Sequence, residues 1–147
     1  MQRRLIISPM YHKKHKYDLI IIFAVIALSV SLFLAISSSL GLAIPCDLTQ
    51  GCEVVLNSKY AKFLGMPLSY WGVAYFGLII ISSLLANHYH FFRKTLTWFL
   101  GMGALASLSF LSLQFFVIKS ICQYCLLVDT LTIAMFLWDL NVEHHRT

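Results

Sequence analysis

The sequence predicts an all-α, integral-membrane four-helix bundle with a short amphipathic surface helix in the first extracytoplasmic loop. Three observations lead there. The chain is 59% hydrophobic and 12% charged, with a mean hydropathy of +0.78, more apolar than a soluble domain of 147 residues can hide in one core. Four apolar stretches reach or approach the roughly 20 residues that cross a bilayer. Lys and Arg collect on alternate connections, the bias that orients membrane helices.

The expected spans are 19–42, 68–86, 96–118 and 121–138, and only the last holds a charge, Asp129. The first is too long for a signal-peptide core and no A-x-A-like site follows it, so it is expected to remain. Arg3, Arg4, Lys13, Lys14 and Lys16 precede it, Arg93 and Lys94 lie in the second connection, and Arg146 follows the last span. Lys59, Lys62 and Lys119 fall on the opposite side. Positive flanks stay in the cytoplasm, so both termini are expected inside and the first and third connections outside. The net charge of +5 is then a topogenic and lipid-headgroup signal. It is split among membrane flanks, which argues against nucleic-acid binding.

Without internal repeats or a dividing linker, residues 1–147 are expected to form a single domain. The one sizeable loop, 43–67, carries a loosely helical apolar pattern from Glu53 to Leu64, with Gly65 at a suitable helix end and Pro67 blocking continuation. That segment is the expected surface helix. Gly101, Gly103, Ala104, Ala106 and Ser107 let a third helix pack closely in lipid. Tyr70, Trp71 and Trp138 fall near helix ends, where aromatic belts anchor.

The chemistry lies in four cysteines, Cys46 with Cys52 and Cys122 with Cys125, both pairs counted to the same, non-cytoplasmic, face. Cys122-Gln123-Tyr124-Cys125 is a C-x-x-C that places both sulfurs on one helical face within disulfide reach. Such spacing serves zinc sites, structural disulfides and thiol oxidoreductases alike. Ser120 and Gln123 fit a capping box, so Cys122 is expected in the first turn of the fourth helix. The helix N-terminus and nearby Lys119 lower its thiol pKa. Cys125 lies about 4.5 Å deeper, placed to meet a lipid-soluble acceptor.

Cys46 and Cys52 bridge easily. A loop this short gains only modest stability from a static bridge, and a second pair at the same face favours thiol exchange. A zinc site of four thiolates is a rival, although the first pair is wider than a zinc knuckle. His12, His15, His88, His90, His144 and His145 all count to the other face, so no metal ligand set is assigned. Asp129, one turn beyond Cys125, is costly in a membrane and so a functional candidate, either protonated or part of a proton path to a quinone, with Gln114 or serines as partners.

Cys46, Cys52, Val55, Ser58, Tyr60, Ala61, Gly65, Pro67 and Gly72 in order, then Cys122, Gln123, Tyr124 and Cys125, resemble the vitamin K epoxide reductase family, notably bacterial members that support disulfide formation. The resemblance covers nearly the whole chain. It implies a four-helix bundle holding a quinone, ubiquinone or menaquinone, near the C-x-x-C. It implies that Cys46 forms the mixed disulfide with a thioredoxin-fold partner, Cys52 relays to Cys122, and Cys125 reduces the quinone. Ser58 matches a serine near the quinone headgroup.

Many bacterial relatives carry a fused thioredoxin-like domain. This chain ends at Thr147, so the expected partner is a separate periplasmic DsbA-like protein and the expected location is a bacterial inner membrane. Such a partner is strongly oxidising, at about −120 mV, which calls for a high-potential acceptor such as a quinone. Vertebrate epoxide-reducing members have an aromatic hydroxyl where Asp129 stands, which argues against epoxide reduction. The alternatives are a quinone or vitamin K epoxide reductase and a non-catalytic membrane scaffold with structural disulfides.

Overall fold

Long apolar runs bury their backbone polar groups only by closing them into helices, and the chain does this four times. A computed structural model describes residues 8–46 and 51–144. Arg3, Arg4, His145 and Arg146 lie outside the described residues, as do the side chains of His12, Lys13, Lys14 and His15. The elements in order are α1 (Ser8–Leu40), α2 (Cys52–Asn57), a 3₁₀ turn (Lys59–Ala61), β1 (Lys62–Phe63), β2 (Met66–Pro67), α3 (Leu68–Ala86), α4 (His90–Ser112) running into a π turn (Leu113–Ile118), and α5 (Gln123–His144). Four segments are long and apolar enough to span a membrane: Lys16–Leu40, Leu68–Ala86, His90–Ile118 and Gln123–His144. This is a multi-pass membrane protein.

The core is a column of Tyr17, Ile20, Ala24 and Ala27 from α1, Phe76, Ile79 and Ala86 from α3, Leu96 and Leu100 from α4 and Met135 from α5. Ile22, Ile26, Leu84, Leu105 and Leu137 point outward, where lipid replaces water. Small residues set the approach distances, as expected for α4. A Cβ on Gly101 would meet the Phe136 ring at 3.3 Å, and one on Gly103 would overlap the Tyr75 hydroxyl. Through that gap Tyr75 donates to the Phe99 carbonyl at 2.9 Å.

Several boundaries differ from the expected ones, and the differences have physical causes. The span expected at 121–138 continues to His144 because Asp139, 1% exposed, finds partners. Lys16 Nζ lies 2.8 Å from its Oδ1 and Thr97 Oγ1 donates to its Oδ2 at 2.7 Å. Lys16, expected as one of the topogenic basic residues before the first span, is buried and paired. The surface helix expected from Glu53 to Leu64 ends at Asn57. Beyond it come the 3₁₀ turn and a two-residue hairpin in which Lys62 pairs with Pro67 and Phe63 with Met66. Leu64 (φ 53°) and Gly65 (φ 82°) form its tip, both left-handed, as a tight hairpin loop demands. Gly65 thus turns a hairpin instead of ending a helix. Trp71, expected as a lipid anchor, donates to the Phe63 carbonyl at 3.2 Å and packs edge-on against that ring, tying the hairpin to α3.

Candidate active site

Both cysteine pairs meet at one end of the bundle. Cys46 and Cys52 form a disulfide, and Cys122 and Cys125 are free thiols. Cys52 and Cys122 are fully buried in a single cluster with Val55, and Cys46, Leu56, Ile118, Tyr124 and Cys125 pack around it. Of the outer pair, Cys46 is partly exposed while Cys52 is sealed. Of these two, Cys46 is the more accessible sulfur.

Two contacts dock the outer loop on the inner pair. Gly51 lies so close to the chain before Cys122 that a Cβ would fall 2.7 Å from the Ile121 carbonyl oxygen and 3.2 Å from Ser120 Cβ. Tyr124, inside the C-x-x-C, donates its hydroxyl to the Pro45 carbonyl at 3.0 Å. Sequence reasoning missed both roles. A glycine directly before the second loop cysteine and a tyrosine between the inner cysteines were the available signals.

The inner pair opens α5. Cys122 is the residue before the first helical turn, and its Sγ accepts the Cys125 N–H at 3.4 Å. This is an N-cap made with sulfur in place of the usual oxygen. The expected Ser120–Gln123 capping box would have put Cys122 inside the first turn; it sits at the cap because the helix begins at Gln123. The Cys122 thiol is lowered from its ordinary 9.0 to about 7. A hydrogen bond from the Cys125 side chain is the largest cause, and the Cys125 and Tyr124 backbone N–H groups add to it. Burial and the Asp129 charge oppose the shift.

A cavity of about 250 Å³ lies beneath α2, between α1, α3, α4 and α5. Its walls include Leu34, Phe76, Phe110 and Val128, and its polar groups include Ser58, Ser107, Gln114 and Asp129. Of the four cysteines only Cys125 lines it. Ser58 lines the cavity, and its hydroxyl donates to the Val55 carbonyl at 2.7 Å. Asp129, 8% exposed, accepts a hydrogen bond from the Ser107 hydroxyl. Gln114, expected as one possible partner of Asp129, instead accepts the Cys122 N–H on its side-chain oxygen at 3.0 Å.

The family model of the vitamin K epoxide reductase family matches residues 18–140. The chain belongs to the vitamin K epoxide reductase family. This makes it an oxidoreductase of a family that uses quinones and a redox partner. No curated protein matches the chain.

The residues present fit a quinone. A flat ring needs apolar walls, which Phe76, Phe110 and Leu34 supply, and a few polar groups for its oxygens, which Ser58 and Asp129 supply. The volume, about 250 Å³, falls just below the range for small-molecule pockets, about 300–1,000 Å³, and suits a headgroup with its tail left in lipid.

Proposed function

We propose that the protein is a quinone-linked thiol oxidase that draws electrons from a separate DsbA-like, thioredoxin-fold protein and so supports disulfide formation. It works as a single domain over residues 1–147 in a bacterial inner membrane, with the cysteine end periplasmic and both termini cytoplasmic. The observation that carries this reading is the arrangement of the four sulfurs. Cys46 is accessible, Cys52 and Cys122 are buried in one cluster, and Cys125 alone reaches the cavity.

The exchange proceeds by thiolate attack through mixed disulfides. A partner thiolate attacks Cys46 Sγ, which breaks the Cys46–Cys52 bond and leaves Cys52 as thiolate. The second partner thiol then closes the partner disulfide and frees Cys46. Cys52 attacks Cys122 Sγ of an oxidised inner pair, with Cys125 as the leaving thiolate, and Cys46 closes on Cys52 to release Cys122. Bound in the cavity, a quinone, ubiquinone or menaquinone, would supply the acceptor for the two electrons and two protons released as the inner pair closes to a disulfide. Ser58 and Asp129 would hold it; Asp129, kept in place by Ser107, is also the nearest protein acid to Cys125 along the helix. For Ser58 to bond a ligand oxygen, its hydroxyl rotates away from Val55.

Purified protein in detergent, given a reduced DsbA-like partner and a quinone, is expected to reduce the quinone, and Cys125→Ala is expected to abolish turnover. Persisting turnover in that variant, or none with any separate thioredoxin-fold partner, would overturn the proposal. Replacing the quinone with its epoxide in the same assay tests the epoxide-reductase alternative.

A further inference from the structure

Gln114 stands out among the polar groups of the cavity because it is 3% exposed and holds the backbone of the inner cysteine pair. It is the second residue of the π turn that ends the α4 span. Wide turns of this kind are rare and are frequently found at functional sites. Here the turn leaves Phe115, Phe116 and Val117 facing outward, at 53%, 80% and 52% exposure, while Gln114 faces the core. Lys119 then reverses the chain in the left-handed conformation, φ 54° and ψ 30°, which is uncommon for a residue with a Cβ. Three residues later the chain reaches Cys122.

In a capping box the cap side chain accepts the N–H of the third helical residue, and that residue's Glu or Gln side chain accepts the N–H of the cap. At the start of α5 the first half is present, since Cys122 Sγ accepts the Cys125 N–H. The third residue is Cys125, whose short thiol is a poor acceptor. Gln114 supplies the missing half from another element, its Oε1 accepting the Cys122 N–H. A buried N–H without that partner would carry its full desolvation cost.

We propose that Gln114 is a positioning residue for the inner cysteine pair: by completing the cap of α5 across space, it holds Cys122 beside Cys52 and keeps Cys125 on the cavity. The π turn exists to bring that carbonyl to the cap. Both sulfur positions depend on it, because Cys122 Sγ is itself the capping acceptor. The role in electron transfer rests on the relay from Cys52 to Cys122; the effect on Cys122 reactivity does not.

The test is the pH profile of Cys122 alkylation in the full chain with its outer disulfide intact, for wild type, Gln114→Met and Gln114→Glu. Methionine keeps the length but offers no comparable acceptor; glutamate keeps an acceptor oxygen. Gln114→Met is expected to lower the rate near pH 6 by about threefold to tenfold, because the loosened cap stabilises the thiolate less. Gln114→Glu is expected to retain more of the rate than Gln114→Met. A Gln114→Met profile superimposed on wild type overturns the proposal, and so does equal loss in both variants. Should Gln114→Met not fold, the wild-type protein decides. Its Cys122 amide is expected to exchange slowly with deuterium, and exchange at the rate of an exposed amide overturns the proposal. Failure to trap a Cys52–Cys122 disulfide in Cys125→Ala would remove the relay while leaving these results standing.

Discussion

The two ends of the bundle solve the same problem, polar groups inside an apolar protein, in opposite ways. At the end away from the cysteines, Lys16, Asp139 and Thr97 saturate one another within 2.8 Å, leaving a closed cluster among helices α1, α4 and α5. At the cysteine end the polar groups are spread over a cavity, the helix cap is a thiol, and the backbone is left-handed at Lys119. The closed end has fully matched partners, whereas the open end keeps groups available for a ligand and for bond exchange. Stability is expected to reside in the first and reactivity in the second.

The largest expected effect tests that division directly. Asp139→Ala leaves the Lys16 ammonium buried, with Glu143 at 3.5 Å as its remaining ion-pair partner among the described residues. Breaking a buried pair in this way costs about 3–5 kcal/mol, and the lower end applies because Glu143 remains. Denaturant titration in micelles should show the loss, while the Cys122 alkylation midpoint stays in place. A shifted midpoint would mean that the two ends are coupled.

Gly51→Ala attacks the opposite end. The added methyl meets backbone atoms of Ile121, which cannot rotate aside, and overpacking of this kind costs about 1–3 kcal/mol. The expected signature is slower formation of the Cys52–Cys122 mixed disulfide in a Cys125→Ala background, measured by gel shift. Tyr124→Phe removes one hydrogen bond to the Cys46 loop, worth about 0.5–1.5 kcal/mol. Faster reduction of the Cys46–Cys52 disulfide by a small thiol is expected, since the loop is held less firmly. The smallest perturbation is pH. With the Cys122 thiol at about 7, its alkylation rate should rise about tenfold per unit below pH 7, following the thiolate fraction, and level off above it. A midpoint near 9 would remove the cap and the Cys125 hydrogen bond as stabilisers of the thiolate.

The spans were legible in the sequence because hydropathy over some twenty residues is a local sum, insensitive to packing. The pairing of cysteines into two groups was legible for the same reason, as spacing along the chain. The end of α5 was not, because Asp139 looks like a terminating charge until Lys16, more than a hundred positions earlier, neutralises it. Nor was the hairpin after α2. The apolar positions from Val54 to Leu64 fit a helix, and the competing signal was the turn-forming Gly65 followed by Pro67 just before α3. Gln114 showed itself as a polar residue in an apolar helix, yet its partner was unreadable. The π turn that aims it at the Cys122 amide has no simple periodicity.

Composition, charge placement and cysteine spacing thus suffice for the membrane class, the four long apolar helices and the grouping of the cysteines into two pairs, since each depends on near neighbours in sequence. Which sulfur faces the cavity, which is buried against which, and what caps the helix that presents them depend on contacts between elements far apart in the chain. Gly51 against Ile121, Tyr124 on Pro45 and Gln114 on Cys122 arise only when the bundle closes, because close packing and hydrogen bonding act between surfaces that chain order does not specify.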